Sequence, residues 1–223
     1  MDISFQLTSI DNIAQKIIDT KPRDSHQLIK IVEISPGMRD ELLPYHDFDH
    51  PKNESYGRRL IYESSFFCIY LMSWCPGDFT AIHDHGSTQW GCVLALDDFA
   101  HRLYEFNNNY LRLKDDSPFL TGQTARVQSD IIHMMGNTSN KNALSVHIYG
   151  TNNPDLTVAQ HSCVFYPEIN QLTYTQGAAF LYDPTSCSHE LHDFNTIEKE
   201  TLSDYYSLLF SNKTPPRKFN VLY

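Results

Sequence analysis

Two histidines separated by one residue, His83 and His85, lie in the short stretch AIHDH at residues 81–85. The stretch favours a β-strand, in which alternate side chains point to one face and lie about 7 Å apart. Two imidazoles on one face can bind a single metal ion. A bare H-x-H pair is also consistent with two ordinary strand histidines, so the pair alone does not establish a metal site.

Two glycines and a third histidine extend this pair into a longer pattern. Gly77 precedes His83 by six residues, and Gly122 is followed by His133 after eleven residues and by Asn137 four residues later. The two patterns occur in this order within one region of predicted strands. They strengthen the interpretation of a metal site.

The elements that would position these residues are short strands. From Arg58 onward, runs of β-branched and aromatic residues alternate with turn formers such as CPGD and DDSP. The pattern predicts strands near residues 58–64, 66–74, 81–85, 90–97, 100–106, 110–114, 124–128, 131–137, 144–150 and 161–167, with further strands beyond. Closely spaced strands without interleaved helices favour an antiparallel barrel or jelly roll.

The N-terminal region has a helical pattern instead. Helices are predicted within residues 9–21, 24–34 and 37–46, with capping candidates Ser9 or Asp11 for the first and Asp24 or Ser25 for the second. We expect one domain over residues 1–223. Its parts would be a helical region at 1–50, a β-barrel at 56–182, and a C-terminal tail at 183–223 that lacks clear periodicity and packs on the barrel.

Composition argues against two classes of function. The formal net charge is −10, and the few basic residues form no stripe, which disfavours a nucleic-acid-binding protein. No apolar run approaches the ~18 residues of a membrane span. The first residues show no secretory signal pattern, and the five cysteines include no C-x-x-C pair. We therefore expect reduced thiols and a cytoplasmic location.

The segments Gly77–His85 and Gly122–Asn137 resemble the two signature motifs of the cupin superfamily, double-stranded β-helix barrels that hold a metal in their interior. The second motif departs from the usual Pro-x-Gly by having Gln-Ser-Asp at 128–130. The first motif has Gln89 and Trp90 where a glutamate ligand is usual. The resemblance therefore implies a ligand set of three histidines, His83, His85 and His133.

The resemblance narrows to the cysteine dioxygenase family. It is carried by YGRRLIY at 56–62, LMSWCPG at 71–77, IHDH at 82–85, and IHMMGN…LSVHIY at 132–149. It implies an Fe(2+) enzyme that adds both atoms of O2 to a thiol and forms a sulfinic acid. L-Cysteine is the expected substrate, and a three-histidine site suits it because a thiolate brings its own negative charge to the dipositive ion.

The same resemblance assigns further site residues. Arg58 matches the arginine that binds the substrate carboxylate, with Tyr56 beside it, and Trp74 is expected to shape the pocket. Arg59 is the alternative to Arg58 for this role. Neighbouring strand residues face opposite sides of the sheet, so only one of the two arginines can face the interior. Three alternate residues of one predicted strand match a hydrogen-bonded relay behind the metal: Ser145, His147 and Tyr149.

Some family members carry a cysteine that crosslinks to the active-site tyrosine. In this chain the matching position is Gly91, and the adjacent Cys92 is expected to point away from Tyr149. We therefore predict no crosslink. The family also often continues with Ser-Pro-Pro after the tyrosine, where this chain has GTNNP at 150–154, which leaves the preferred thiol open.

Three alternatives stay open. The substrate could be 3-mercaptopropionate or cysteamine, although an arginine at position 58 favours a thiol with a carboxylate. From another class, the chain could be a non-catalytic cupin that binds a metal or small ligand.

A monomer or small homo-oligomer is expected. The other histidines show no ligand-like spacing: His26, His46, His50, His101, His161, His189 and His192.

Overall fold

The computed structural model describes residues 7–51, 53–108, 110–153, 155–181, 190–194 and 196–210. These residues form the helices α1 (Thr8–Thr20), α2 (Ser25–Ile29), α3 (Met38–Leu42) and α4 (Lys199–Phe210), with a 3-10 helix at Leu43–Tyr45. The strands are β1 (Gly57–Glu63), β2 (Phe67–Trp74), β3 (Ile82–His83), β4 (Trp90–Ala95), β5 (Ala100–Asn107), β6 (Tyr110–Asp115), β7 (Thr124–Val127), β8 (Ile132–Gly136), β9 (Ala143–Gly150), β10 (Ser162–Tyr166), β11 (Gln171–Thr175) and β12 (His192–Asp193).

The strands form two antiparallel sheets. The first has the order β1-β2-β9-β4-β7, and the second has the order β12-β11-β10-β3-β8-β5-β6. Inward side chains of the two sheets meet in one buried cluster, in which Met72 and Val93 of the first sheet lie with Met135 of the second. Two facing sheets with crossovers between non-consecutive strands make a double-stranded β-helix barrel. The prediction of a mainly β, cupin-type fold with a helical N-terminal region is confirmed.

The helical region covers the outer face of the first sheet. Ile10, Ile13 and Ile17 of α1 recur at helical spacing and pack in one cluster with Ile69 and Leu71 of β2. Burying this apolar stripe fixes α1 on the sheet, although neither of its predicted capping residues acts as a cap, because the helix begins at Thr8.

The second helix is shorter than its sequence pattern. The carboxylate of Asp24 caps α2 by accepting a hydrogen bond from the Gln27 backbone N–H at 2.8 Å. The helix ends at Ile29, whereas the pattern extends to Ile34. The β-branched residues Ile31 and Val32 follow, and such residues lose side-chain freedom in a helix.

The C-terminal region contains a helix that the sequence analysis did not predict. Tyr205, Leu208 and Leu209 of α4 lie in one core cluster with Ile82 of the second sheet. The Thr201 hydroxyl accepts a hydrogen bond from a backbone N–H of β6 at 2.8 Å. The expectation was a C-terminal tail packed on the barrel with no helix within it, whereas Lys199–Phe210 is helical. The buried residues of this helix recur at i, i+4, i+7 and i+8 from Thr201, which is the spacing of one helical face, so the sequence carried a helical signal that the sequence analysis overlooked.

Among the described residues, no helix is long and apolar enough to cross a membrane. Four of the described cysteines are buried and form no disulfide bond with one another: Cys68, Cys75, Cys92 and Cys163. Cys187 and His189 lie outside the described residues. The expectation of one domain over the whole chain stays a prediction.

Candidate active site

Two histidines of the second sheet, His83 and His133, and His85 from the turn after β3 converge in the barrel interior. His83 is the last residue of β3 and pairs directly with His133 of β8. Their Nε2 atoms are 3.2 Å apart, and one ring nitrogen from each of His83, His85 and His133 lies within 4.8 Å of the others. All three side chains are buried. The residues that the resemblance named as ligands are therefore brought together.

His85 reaches this cluster from a turn and not from a strand. The predicted strand at 81–85 is cut short, because β3 ends at His83. The Asp84 carboxylate accepts hydrogen bonds from the Gly86 N–H at 3.0 Å and the Cys163 N–H at 2.7 Å. Gly86 has φ of +50°, and a Cβ there would lie 2.3 Å from the Gln160 carbonyl oxygen. This tight turn directs His85 back toward His83.

Each imidazole uses one nitrogen as an anchor. His83 Nδ1 lies 2.9 Å from the Ala81 carbonyl oxygen, and His85 Nδ1 lies 3.2 Å from the Ile131 carbonyl oxygen. These bonds fix the tautomer that leaves Nε2 as the metal-binding atom. His85 Nε2 is buried and has no hydrogen-bond partner among the described residues. When one ion binds two nitrogens at ~2.1 Å each, and the two bonds form a right angle, the nitrogens lie ~3 Å apart. The distance of 3.2 Å between Nε2 of His83 and Nε2 of His133 matches this geometry.

The electrostatics of the site also suit a metal. Burial lowers the pKa of His83 to about 4. It likewise holds the pKa values of His85 and His133 well below their usual value of 6.5. All three rings are therefore neutral at pH 7, with lone pairs available for coordination. The three histidines fit a divalent metal ion.

His101 is a site residue that the sequence analysis missed. Its Nε2 lies 3.1 Å from Nδ1 of His133, where the other two ligands have a backbone carbonyl. The cause is the register between β5 and β8, in which Leu103 pairs with His133 and places His101 diagonally beside it on the same face. Burial lowers the pKa of His101 to about 4, so its ring is neutral at pH 7 and its Nε2 can accept a hydrogen bond from the Nδ1–H of His133.

A hydrogen-bonded chain runs along the facing strand β9. Ser145 Oγ lies 2.9 Å from His147 Nε2, and His147 Nδ1 lies 2.8 Å from the Tyr149 hydroxyl. Trp74 Nε1 donates to Ser145 Oγ at 2.9 Å. The ring of Tyr149 is 6.0 Å from that of His85. The sequence-predicted relay residues and Trp74 are thus in contact with one another.

The direction of this chain depends on the tautomer of His147. In one tautomer Ser145 donates to His147 Nε2 and His147 Nδ1 donates to the Tyr149 oxygen, which leaves the Tyr149 proton to point into the pocket. In the other tautomer the Tyr149 hydroxyl donates to His147 Nδ1 and His147 Nε2 donates to Ser145. Burial lowers the pKa of His147 to about 3 and raises the pKa of Tyr149, so both are neutral at pH 7.

Arg58 lies beside this pocket and faces the interior. It pairs across β1 and β2 with the inward residue Met72, whereas Arg59 pairs with the outward residue Leu71. The Arg58 guanidinium stacks 3.8 Å above the centre of the Tyr70 ring. Its Nε is buried without a hydrogen-bond partner in the described part of the chain. A buried guanidinium donor of this kind suits an anionic ligand.

Tyr56 has a supporting position next to Arg58. Its hydroxyl accepts a hydrogen bond from the Ala179 N–H at 3.1 Å, and its ring stacks on Trp74 with centroids 4.8 Å apart. Burial raises the pKa of Tyr56, so it stays a neutral donor. Tyr56, Trp74 and Tyr149 line one cavity with the three histidines. The cavity has a volume of about 10 Å³, about the space of one water molecule.

Gly91 occupies the position opposite the tyrosine on the neighbouring strand. It pairs with Tyr149, and a Cβ there would lie 3.4 Å from the Tyr149 ring. Cys92 pairs with Ile148 and packs with it in the outer core cluster, on the opposite face of the sheet. Cys92 therefore faces away from Tyr149, and the absence of a crosslink stays a prediction.

Comparison with known proteins gives one family and a set of structural relatives. The sequence model of cysteine dioxygenase type I matches residues 5–160. A Thermus thermophilus structure is similar, with 17% identity over 54% of this chain and 98% of that one at a TM-score of 0.39.

Two further structures have comparable similarity. A Klebsiella pneumoniae protein with a double-stranded β-helix domain has 16% identity over 50% of this chain and 90% of that one, at a TM-score of 0.35. An RmlC-like cupin family protein from Methanocaldococcus jannaschii has 7% identity over 48% and 87%, at a TM-score of 0.36. These low TM-scores carry no argument about function.

Proposed function

The chain belongs to the cysteine dioxygenase type I family, and from that premise we propose that it oxidises L-cysteine with O2 to cysteine sulfinic acid. Iron(II) would be held by His83, His85 and His133. The observation that carries this proposal is the convergence of three buried, neutral imidazoles in one small cavity. The broader statement, a dioxygenase-type oxidoreductase, follows from family membership.

The donor set favours a substrate that carries negative charge. Three neutral imidazoles leave the full charge of a divalent ion uncompensated, whereas a carboxylate ligand would reduce it. When bound, iron(II) would supply coordination positions for the thiolate and O2 and the electrons that activate O2. The surrounding residues must then bind the rest of the substrate and exclude water.

Arg58 is the residue we assign to the substrate carboxylate. Its buried Nε needs a partner, and a planar guanidinium can bind a carboxylate through two parallel hydrogen bonds. The stack on Tyr70 limits rotation of the guanidinium plane. Binding of the carboxylate at Arg58 would fix the distance at which the thiol meets the three histidines.

Tyr149 is the residue we assign to hydrogen-bond donation in the pocket. We assign to His147 the tautomer that donates from Nδ1 to the Tyr149 oxygen, so that the Tyr149 hydroxyl proton points into the pocket. A fixed donor in a buried site stabilises negative charge that develops on oxygen during the reaction. The side chains that line this cavity are mostly buried, which limits the access of bulk water.

The proposal is tested by anaerobic iron reconstitution followed by oxygen uptake and sulfinate detection with L-cysteine, 3-mercaptopropionate and cysteamine. We expect L-cysteine to give the highest kcat/KM. Arg58→Ala should raise the KM for L-cysteine about tenfold to a hundredfold, because a hydrogen bond to a charged group contributes about 1.5–3 kcal/mol. Cysteamine has no carboxylate, so its KM should not change.

Arg59→Ala is the matched control, because Arg59 faces the other side of β1 and should leave kinetics unchanged. A higher kcat/KM for 3-mercaptopropionate than for L-cysteine would show that 3-mercaptopropionate is the preferred substrate. The absence of thiol-dependent oxygen uptake by the iron-loaded protein would exclude the dioxygenase and favour a non-catalytic cupin.

A further inference from the structure

A second group of metal-ligand side chains lies outside the three-histidine centre. It consists of His50, in the loop that precedes β1, and of Cys75 and Asp78, in the turn that follows β2. The sequence analysis found no ligand-like spacing around His50, since its neighbours in space are more than twenty residues away along the chain. All three side chains are buried, with exposed fractions of 9%, 4% and 3% respectively.

The turn Cys75-Pro-Gly-Asp78 presents two of the three donors from one side. The Asp78 N–H donates to the Cys75 carbonyl at 3.0 Å, and Gly77 adopts φ of +84°, as the third residue of a type II turn does. The Asp78 carboxylate in turn accepts from the Cys75 N–H at 2.5 Å. The turn therefore holds the thiol and the carboxylate close together.

His50 completes the group from the opposite loop. Its Nε2 lies 3.1 Å from the Asp78 carboxylate oxygen. One donor atom each from the imidazole, the thiol and the carboxylate lies within 4.8 Å of the other two. The Cys75 thiol donates to the Phe48 carbonyl oxygen at 3.3 Å, which holds the sulfur on the side of the loop that carries His50.

We propose that His50, Cys75 and Asp78 bind a structural zinc ion that is distinct from the catalytic metal. Imidazole, thiolate and carboxylate are the three ligand types that zinc uses in proteins. The thiolate and carboxylate together neutralise a divalent ion, in contrast to the uncharged three-histidine set. Binding would release the Cys75 proton, and the burial of the group is typical of a closed structural site.

The position of this site gives it a role in the fold. The loop that carries His50 packs against β1, where a Cβ on Gly57 would lie 2.0 Å from the Asp47 carbonyl oxygen. The same loop is held to β2 by the Asp47 N–H, which donates to Ser73 Oγ at 2.9 Å. Gly57 lies between Tyr56 and Arg58, so zinc at this site would anchor the segment that presents the proposed carboxylate-binding arginine.

Cobalt(II) absorption tests the site independently of any enzyme activity. Chelator-treated wild-type protein is titrated anaerobically with Co(II). We expect two bound equivalents, one of which gives a thiolate-to-cobalt charge-transfer band in the near ultraviolet. The three-histidine centre contains no thiolate, so the double variant His83→Ala/His133→Ala should keep this band. Zn(II) should abolish the band, since such sites prefer zinc to cobalt.

Two variants identify which cysteine supplies the thiolate that binds cobalt. Cys75→Ala should lose the band, while Cys92→Ala, a matched substitution of a buried cysteine in the core cluster beneath α1, should keep it. A wild-type protein that shows no thiolate-to-cobalt band at two equivalents of Co(II) would overturn the proposal, whether or not the variants fold. A band that persists in Cys75→Ala would overturn it as well.

Discussion

The two nitrogens of each site histidine serve different purposes, and the anchor nitrogen decides where the other one points. His83 and His85 are anchored by backbone carbonyls, which the fold fixes regardless of side-chain identity. His133 is anchored by the side chain of His101, which a single substitution can remove. Such partners of a metal ligand orient the ring and raise its basicity.

We therefore predict that His101→Leu weakens iron(II) binding about tenfold to a hundredfold, the usual cost of losing such a partner. Competition against a chromophoric iron(II) chelator under anaerobic conditions measures the effect. His101→Gln should restore most of the affinity, because its amide oxygen can take the position of the histidine Nε2 as acceptor.

Substitution of the exposed histidine His26 by leucine is the control and should leave iron affinity unchanged. Equal losses of affinity in His101→Leu and His101→Gln would show that His101 contributes only packing and would contradict this prediction.

The site residues that sequence could identify are those fixed by local geometry or by a family motif. Ser145, His147 and Tyr149 were expected on one face because strand alternation is strict, and they form one hydrogen-bonded chain. His101 and His50 could not be identified in this way. Their partners are set by strand register and by loop packing, and neither is encoded in the spacing of one sequence.

At the scale of elements, strands were predicted better than helix ends and turns. The runs of β-branched and aromatic residues located the main strands, because each is buried on at least one face. β3 was overestimated, since the Asp84 and Gly86 turn interrupts it after His83. α4 was missed although its buried residues follow the spacing of one helical face: Thr201, Tyr205, Leu208 and Leu209.

The element with the most direct link to function is the start of β1, between Tyr56 and Arg58. A Cβ on Gly57 would lie 2.0 Å from a backbone oxygen of the preceding loop, which cannot rotate away as a side chain could. We expect Gly57→Ala to lower the unfolding free energy by about 1–3 kcal/mol, as overpacking does. It should also raise the KM for L-cysteine by displacing Arg58.

Urea denaturation and steady-state kinetics measure the two effects of Gly57→Ala. Gly122→Ala is the comparison, because it adds the same methyl group at a positive φ where nothing lies within 4 Å. Gly122→Ala should lose stability through backbone strain alone and keep the wild-type KM. An unchanged KM for L-cysteine in Gly57→Ala would show that the contact between Gly57 and the preceding loop does not affect substrate binding, and would contradict this prediction.

For the whole molecule, the barrel encloses several imidazoles in a low-dielectric interior. Burial lowers the pKa of His83 to about 4 and that of His147 to about 3, and holds those of His85 and His133 well below 6.5. The same burial that keeps these rings neutral for metal binding makes the metal-free barrel sensitive to acid. This loss of stability in acid is a property of the whole barrel, because both sheets contribute buried histidines.

We predict that chelator-treated protein loses stability as the pH falls from about 6.5 toward 4. In this range the unfolded chain protonates its histidines at their usual pKa of 6.5, while the buried rings stay neutral until about pH 4. The unfolded state therefore binds more protons, and each such histidine lowers the unfolding free energy by about 1.4 kcal/mol per pH unit. Urea denaturation at pH 7, 6 and 5 gives the slope. His147→Leu should reduce the slope by the contribution of one buried histidine. A metal-free stability that stays constant over this range would contradict the prediction.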